Sequence, residues 1–309
     1  MRLRAKNILC ATDFSDLANY AVNYGVSLAK EFNSKLYLCH VIDLSSATLY
    51  GDATFAFETQ LIHMEEYAQE RLSRIMEGYQ VDWEPVVSTG NAADEVTRIA
   101  EEKAVDLTIT ATRGHSGLKR LMLGSVTEHL MRTLPCPLLA VHRHGKYPDL
   151  VAEQDVRFNR ILIGCDFSPD SNLAFQYGLS LAQEYEAELH LVHVLEPPIY
   201  KDLPKPAQDA REVVRKSLYA QLNEKLEAMV PKDALNWCKP KIMLLAGHPD
   251  VELVKYADVQ GIDLLVLGVT GHGLVESFFV GSTTERVMRK APCAVLSVRP
   301  IQKKDRAGD

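Results

Sequence analysis

No pair of cysteines in this chain is spaced as CxxC, and its six thiols, Cys10, Cys39, Cys136, Cys165, Cys238 and Cys293, match no metal-finger pattern. Several lie in apolar, strand-like runs, where a buried, reduced thiol is the expected state. Cys136 and Cys293 each follow a proline at the opening of such a run and read as small residues in packed strand starts. Long hydrophobic stretches are also lacking. A run such as Leu264 to Val269 falls far short of the roughly 20 residues of a membrane helix. The opening Met-Arg-Leu-Arg leads into a strand-like segment rather than an apolar secretory region. Positive charge is not in excess either: the formal net charge is −7, which argues against nucleic acid or an anionic membrane as the main partner. The expectation is a soluble, cytoplasmic protein with no metal site of its own.

What the chain does have is a pattern that occurs twice. Asn7 to Val41 overlays Arg160 to Val194 without a gap, matching Asp13-Phe14-Ser15 with Asp166-Phe167-Ser168, Gly25 with Gly178 and His40-Val41 with His193-Val194. Asp106 to Val141 overlays Asp263 to Val298, matching Gly124-Ser125 with Gly281-Ser282 and Pro135-Cys136 with Pro292-Cys293. A period of about 155 residues is the size of a whole domain, unlike the 20–50 residues of solenoid repeats. A four-residue adjustment is needed between the two stretches, somewhere in Ile42 to Ser88 and its counterpart, and should lie away from any shared site or at its rim.

Continuous apolar runs alternating with helical periodicity predict β-α-β-α-β-α-β-α-β in each copy. In the first copy the strands are expected near 7–11, 35–42, 84–88, 106–111 and 137–142, with helices over 16–32, 57–78, 92–103 and 125–133. In the second the strands fall near 160–164, 188–195, 241–245, 263–268 and 293–298. The fold class is α/β: two tandem doubly wound domains over 1–143 and 160–301, a polar linker at 144–159, and a charged tail at 302–309 expected to be disordered.

Open parallel sheets bind ligands beyond the carboxyl ends of their strands, where strand order reverses. Both repeated motifs fall at such ends. The second copy reads Gly268-Val-Thr-Gly271-His272, then Gly281-Ser282-Thr283-Thr284 opening a helix, a pattern suited to cradling phosphate on free N–H groups. Read structurally instead, the same residues are tight turns with Ser282 or Thr283 capping a helix. The first copy holds Ala111, Arg113, Gly114, Gly124, Ser125, Val126 and Thr127 at these places. Its alanine adds a Cβ and penalises positive φ, so the first site is expected to be the weaker, although Arg113, Lys119 and Arg120 supply positive charge there. With Ser168 capping the helix that Pro169 begins, Asp166 is left to accept from a ligand hydroxyl, and Asp13 is its equivalent. Val41 and Val194 offer backbone and apolar surface to a flat base, whereas His40 and His193 read as structural.

These motifs closely resemble those of the universal stress protein (UspA) family in its tandem form. Gly268, Gly271, Gly281 and Ser282 match the Gly-x2-Gly-x9-Gly-Ser/Thr pattern of its ATP-binding members, and Gly114, Gly124 and Ser125 match three of its four places, with Ala111 departing. The resemblance implies a Rossmann-like five-stranded sheet of order 3-2-1-4-5. It also implies ribose contacts at Asp13 and Asp166, adenine contacts at Val41 and Val194, and domains paired through their last strands. ATP, with or without Mg²⁺, is the implied ligand, and a regulatory stress-response role the implied function. Two other functions stay open: a slow ATP hydrolase, for which the second loop offers only His272 and Glu276, and a nucleotide-free adaptor. Whether two chains form a homodimer is also open.

Overall fold

The computed structural model describes residues 5–43, 54–112, 123–142, 156–196, 206–238, 240–270 and 280–300. Its first half runs β1 (Asn7–Ala11), α1 (Asp16–Phe32), β2 (Lys35–Ile42), α2 (Thr54–Met76), β3 (Trp83–Thr89), α3 (Ala92–Glu102), β4 (Leu107–Ala111), α4 (Ser125–Thr133) and β5 (Leu138–Val141). The second half repeats it with β6 (Arg160–Gly164), α5 (Pro169–Tyr185), β7 (Glu188–Leu195), α6 (Pro206–Met229), β8 (Lys241–Ala246), α7 (Pro249–Gln260), β9 (Leu264–Gly268), α8 (Ser282–Lys290) and β10 (Ala294–Val298).

Each half is a doubly wound sheet of order 3-2-1-4-5, and β5 lies beside β10, giving one ten-stranded sheet in the order β3-β2-β1-β4-β5-β10-β9-β6-β7-β8. The β5–β10 pair is antiparallel, with Leu139 opposite Leu296. All other neighbours are parallel. Strands β4, β9 and β10 are buried at every residue, which accounts for the continuous apolar run of β9; β4 and β10 bury Thr108, Thr110 and Ser297 among their apolar residues. Alternate side chains serve opposite faces. Ile8 belongs to the core cluster that includes residues of α1, α2, α5 and α6, whereas Leu9 belongs to the one on the opposite face with α3, α4, α7 and α8.

The four-residue difference between the copies falls at the amino ends of the strands. Seven residues (77–83) separate Met76 from Glu84, and eleven (230–240) separate the equivalent Met229 and Lys241. The longer connection carries a 3₁₀ turn at Lys232–Asn236 that the periodicity does not announce.

Within the expected linker, Phe158 is only 2% exposed. Its ring lies 6.1 Å from that of Tyr24 on α1 and 5.1 Å, edge-on, from that of Tyr185 on α5. Reciprocal contacts join the halves on the other face. After β10, the buried Arg299 donates to the carbonyls of Met131, Arg132 (3.0 Å) and Leu134 (3.2 Å) at the end of α4. After β5, the equivalent His142 donates from Nε2 to the Met288 carbonyl in the last turn of α8, at 2.6 Å. All six cysteines are buried and unbridged, and burial pushes the Cys10 and Cys39 thiols up to about 12.

Candidate functional site

Each half has a cavity at the carboxyl ends of its central strands, where β1 meets β4 and β6 meets β9. The second is about 630 Å³ and is lined by Asp166, Val194, Gly268, Gly281, Ser282, Thr283 and Thr284, with Cys165, Ser171, Glu196, Leu253, Leu267 and Thr270 among the others. The first, about 280 Å³, is lined by Asp13, Val41, Ala111, Gly124, Ser125, Val126 and Thr127 together with Thr12, Cys39 and Thr110. The predicted site residues among those described therefore converge on two equivalent places. Arg113, Gly114, Lys119, Arg120, Gly271, His272 and Glu276 lie outside the described residues.

One wall of each cavity is a sharp strand-to-helix turn. Phe14 and Phe167 sit there with φ of 65° and 64°, a left-handed conformation that costs a bulky residue about 1–2 kcal/mol. Side chains hold the turn. Thr12 Oγ1 accepts from Phe14 N at 3.0 Å, while Asp13 and Asp166 accept through Oδ1 from Ser15 N and Ser168 N at 3.0 and 2.9 Å. Ser168 caps α5 as expected, accepting from Ser171 N, and Ser15 likewise caps α1, accepting from Ala18 N. The two aspartates are thus turn residues as well as cavity residues, each holding the turn through Oδ1. His40 stacks on Phe14 at 4.1 Å and donates from Nδ1 to the Thr12 carbonyl; His193 does the same to Cys165. Both histidines are structural, as their sequence context suggests.

Helices α4 and α8 begin differently from α1, α3 and α5. Their N-cap positions are Gly124 and Gly281, which provide no side-chain cap, so neither Ser282 nor Thr283 fills the capping role. Thr127 and Thr284 instead turn inward, donating to the carbonyls of Ala111 and Gly268 at 2.9 and 2.8 Å. With Gly124 N bonded to Thr112 O and Gly281 N to Val269 O, both at 2.8 Å, the two ends of each glycine loop are clasped together. The first turns of α4 and α8 face the cavities with their dipoles positive.

The difference between Ala111 and Gly268 has another cause than the one its sequence suggests. Neither Gly268 nor Gly281 adopts positive φ. A Cβ on Gly268 would lie 2.7 Å from the Asp170 carbonyl carbon and 2.9 Å from Ser171 N, because the start of α5 crosses β9 there. The close approach lets Asp170 Oδ2 accept from Thr270 N at 3.0 Å and from Thr270 Oγ1. The equivalent of Asp170 on α1 is Leu17. Sequence reasoning missed Asp170, whose signal was a carboxylate in one copy against an apolar residue in the other.

These features define a tandem α/β protein with a cavity at each topological switch point. The chain belongs to the universal stress protein family, whose profile matches residues 4–142 and 157–299. A universal stress protein of Synechocystis is 23% identical over 95% of this chain and its own full length. One of Methanocaldococcus jannaschii is 31% identical over 46% of this chain and 84% of its own length. The crystal structure of a universal stress protein from Archaeoglobus fulgidus shares the fold, with a TM-score of 0.66 at 19% identity, over 96% of this chain and all of that one.

Proposed function

We propose that the chain is a regulatory protein of the stress response that binds an adenine nucleotide, ATP above all, in the second-domain cavity. The observation that supports this best is the roughly 630 Å³ cavity at the β6–β9 switch point, floored by the uncapped first turn of α8. That volume lies within the range of small-ligand sites. In this reading Gly281, Ser282 and Thr283 offer N–H groups and a hydroxyl to the phosphates, Asp166 accepts from the ribose, and Val194 meets the base. Gly271 and His272 belong to the same proposal on the strength of the motif. The first cavity, with less than half the volume, is the weaker site.

Binding is favoured over turnover because no Lys, Arg or His lines the second cavity among the described residues, so no cation there is placed to stabilise a transferring phosphoryl group. The described residues also contain no group of three or more His, Cys, Asp or Glu able to hold a metal. Mg²⁺ would accordingly be carried by the phosphates and water. The proposal places the protein in the cytoplasm, with buried, reduced thiols; no described helix is long and apolar enough to cross a membrane. Native mass spectrometry and calorimetry of the purified chain test it. One adenine nucleotide per chain is expected, with turnover below one per minute. No bound nucleotide and no thermal shift in millimolar ATP would overturn the reading.

A further inference from the structure

We infer that Asp170 is a positioning residue for the second-domain cavity, a latch that holds Thr270 of its lining in place for the phosphates of a bound nucleotide. The inference rests on the nucleotide reading of that site for its ligand, but its geometry stands independently. Thr270 is the last described residue before Gly271, two residues beyond the end of β9. Its backbone N–H and hydroxyl both donate to one oxygen of Asp170, and hydrogen bonds to a carboxylate are about twice as strong as neutral ones. Two donors from one residue fix both its position and its rotation.

The latch depends on the glycine next to it. Gly268 has no Cβ, and α5 approaches so closely that a methyl group would collide with the backbone of Asp170 and Ser171. Carboxylate, close helix approach and glycine form one device. The first domain replaces two of its parts, with Leu17 for Asp170 and Ala111 for Gly268. Further along, the loop is tied back by Gly281 N to Val269 O at 2.8 Å and by Thr284 to the Gly268 carbonyl. The Asp170 latch therefore adds a third attachment at the end where the chain leaves the sheet. Preorganisation of this kind strengthens binding by lowering the cost of ordering Thr270 and the cavity lining beside it.

The test compares wild type with Asp170→Leu, the residue of the first domain, Asp170→Asn, which keeps an acceptor oxygen, and Thr270→Val, which keeps only the N–H donor. Affinities for ATP and for adenosine are measured on the full chain by calorimetry, and amide exchange at Thr270 by hydrogen–deuterium exchange. A latch acting on the phosphates predicts a loss of roughly tenfold or more for ATP in Asp170→Leu, with adenosine within about twofold, near-wild-type behaviour in Asp170→Asn and an intermediate loss in Thr270→Val. Equal losses for ATP and adenosine, or none, would sink the inference, because a merely structural role weakens both alike. If wild type binds no nucleotide, the proposed function fails, and the latch is decided by exchange alone: Asp170→Leu must speed exchange at Thr270, and unchanged protection overturns it.

Discussion

Gly268 is a glycine for the sake of its neighbour on α5 rather than for its own backbone angles, and that distinction changes what its replacement should do. Gly268→Ala places a methyl 2.7 Å from the Asp170 carbonyl carbon. Overpacking of this kind costs about 1–3 kcal/mol, so urea denaturation should show that loss together with weakened ATP binding. Ala111→Gly should restore nothing, because Leu17 rather than a carboxylate stands opposite; it should cost about 0.5–1 kcal/mol and leave first-domain affinity unchanged in calorimetry. A second residue-scale difference involves His190, fully buried where the first copy has Tyr37. Its Nε2 donates to Glu188 at 2.6 Å, and its Nδ1 accepts from the Tyr256 hydroxyl at 2.9 Å. Burial pushes its pKa below the ordinary 6.5, more strongly than Glu188 pulls it back. The unfolded chain therefore takes up this proton first. Stability is complete above about pH 6.5, falls as pH drops toward the folded-state value, and loses no more below it. Unfolding free energies at pH 7.5 and 5.5 should differ less in His190→Gln than in wild type.

At the scale of elements, α4 and α8 each join a cavity to the boundary between the halves. Their N-termini floor the cavities, and their last carbonyls are held by a residue of the other half: Arg299 on α4, His142 on α8. Such carbonyls have no partner within the helix and need one from outside. Arg299→Met should lose about 2–4 kcal/mol and His142→Ala about 1 kcal/mol, read from chemical denaturation. The sequence made these elements legible because the central strands are rich in apolar residues, the helices have a longer period, and α5 has a start signal in Ser168-Pro169. What it hid was what lies across space. Arg299 and His142 look like polar residues just past a strand, and nothing local says that they reach another domain's helix. Asp170 likewise looked like an ordinary acidic residue in a first helical turn. The 3₁₀ turn at Lys232–Asn236 was concealed because a single turn is too short to develop a period.

For the whole molecule, the β5–β10 pair and the packing of Phe158 between Tyr24 and Tyr185 make one sheet of two repeats. Cut between them, the first repeat would expose β5 as a free edge whose four residues are all buried in the intact chain. A fragment of residues 1–143 should therefore self-associate, and sedimentation should find it as a dimer or larger species; a stable monomer would show that the junction is dispensable. The domain-length repeat already announced two such units. The antiparallel sense of their junction was not contained in either copy, because a strand's own sequence does not specify the direction of its neighbour.

That antiparallel sense fixes where the two mouths point. Strands within each half are parallel, so reversing direction at β5–β10 sends the carboxyl ends of the two halves to opposite rims of the sheet. A globular partner seated over one mouth leaves the other in open solvent, and two copies meeting mouth to mouth would each still present a second one outward. The duplication therefore amounts to two ports on opposite sides of one wall.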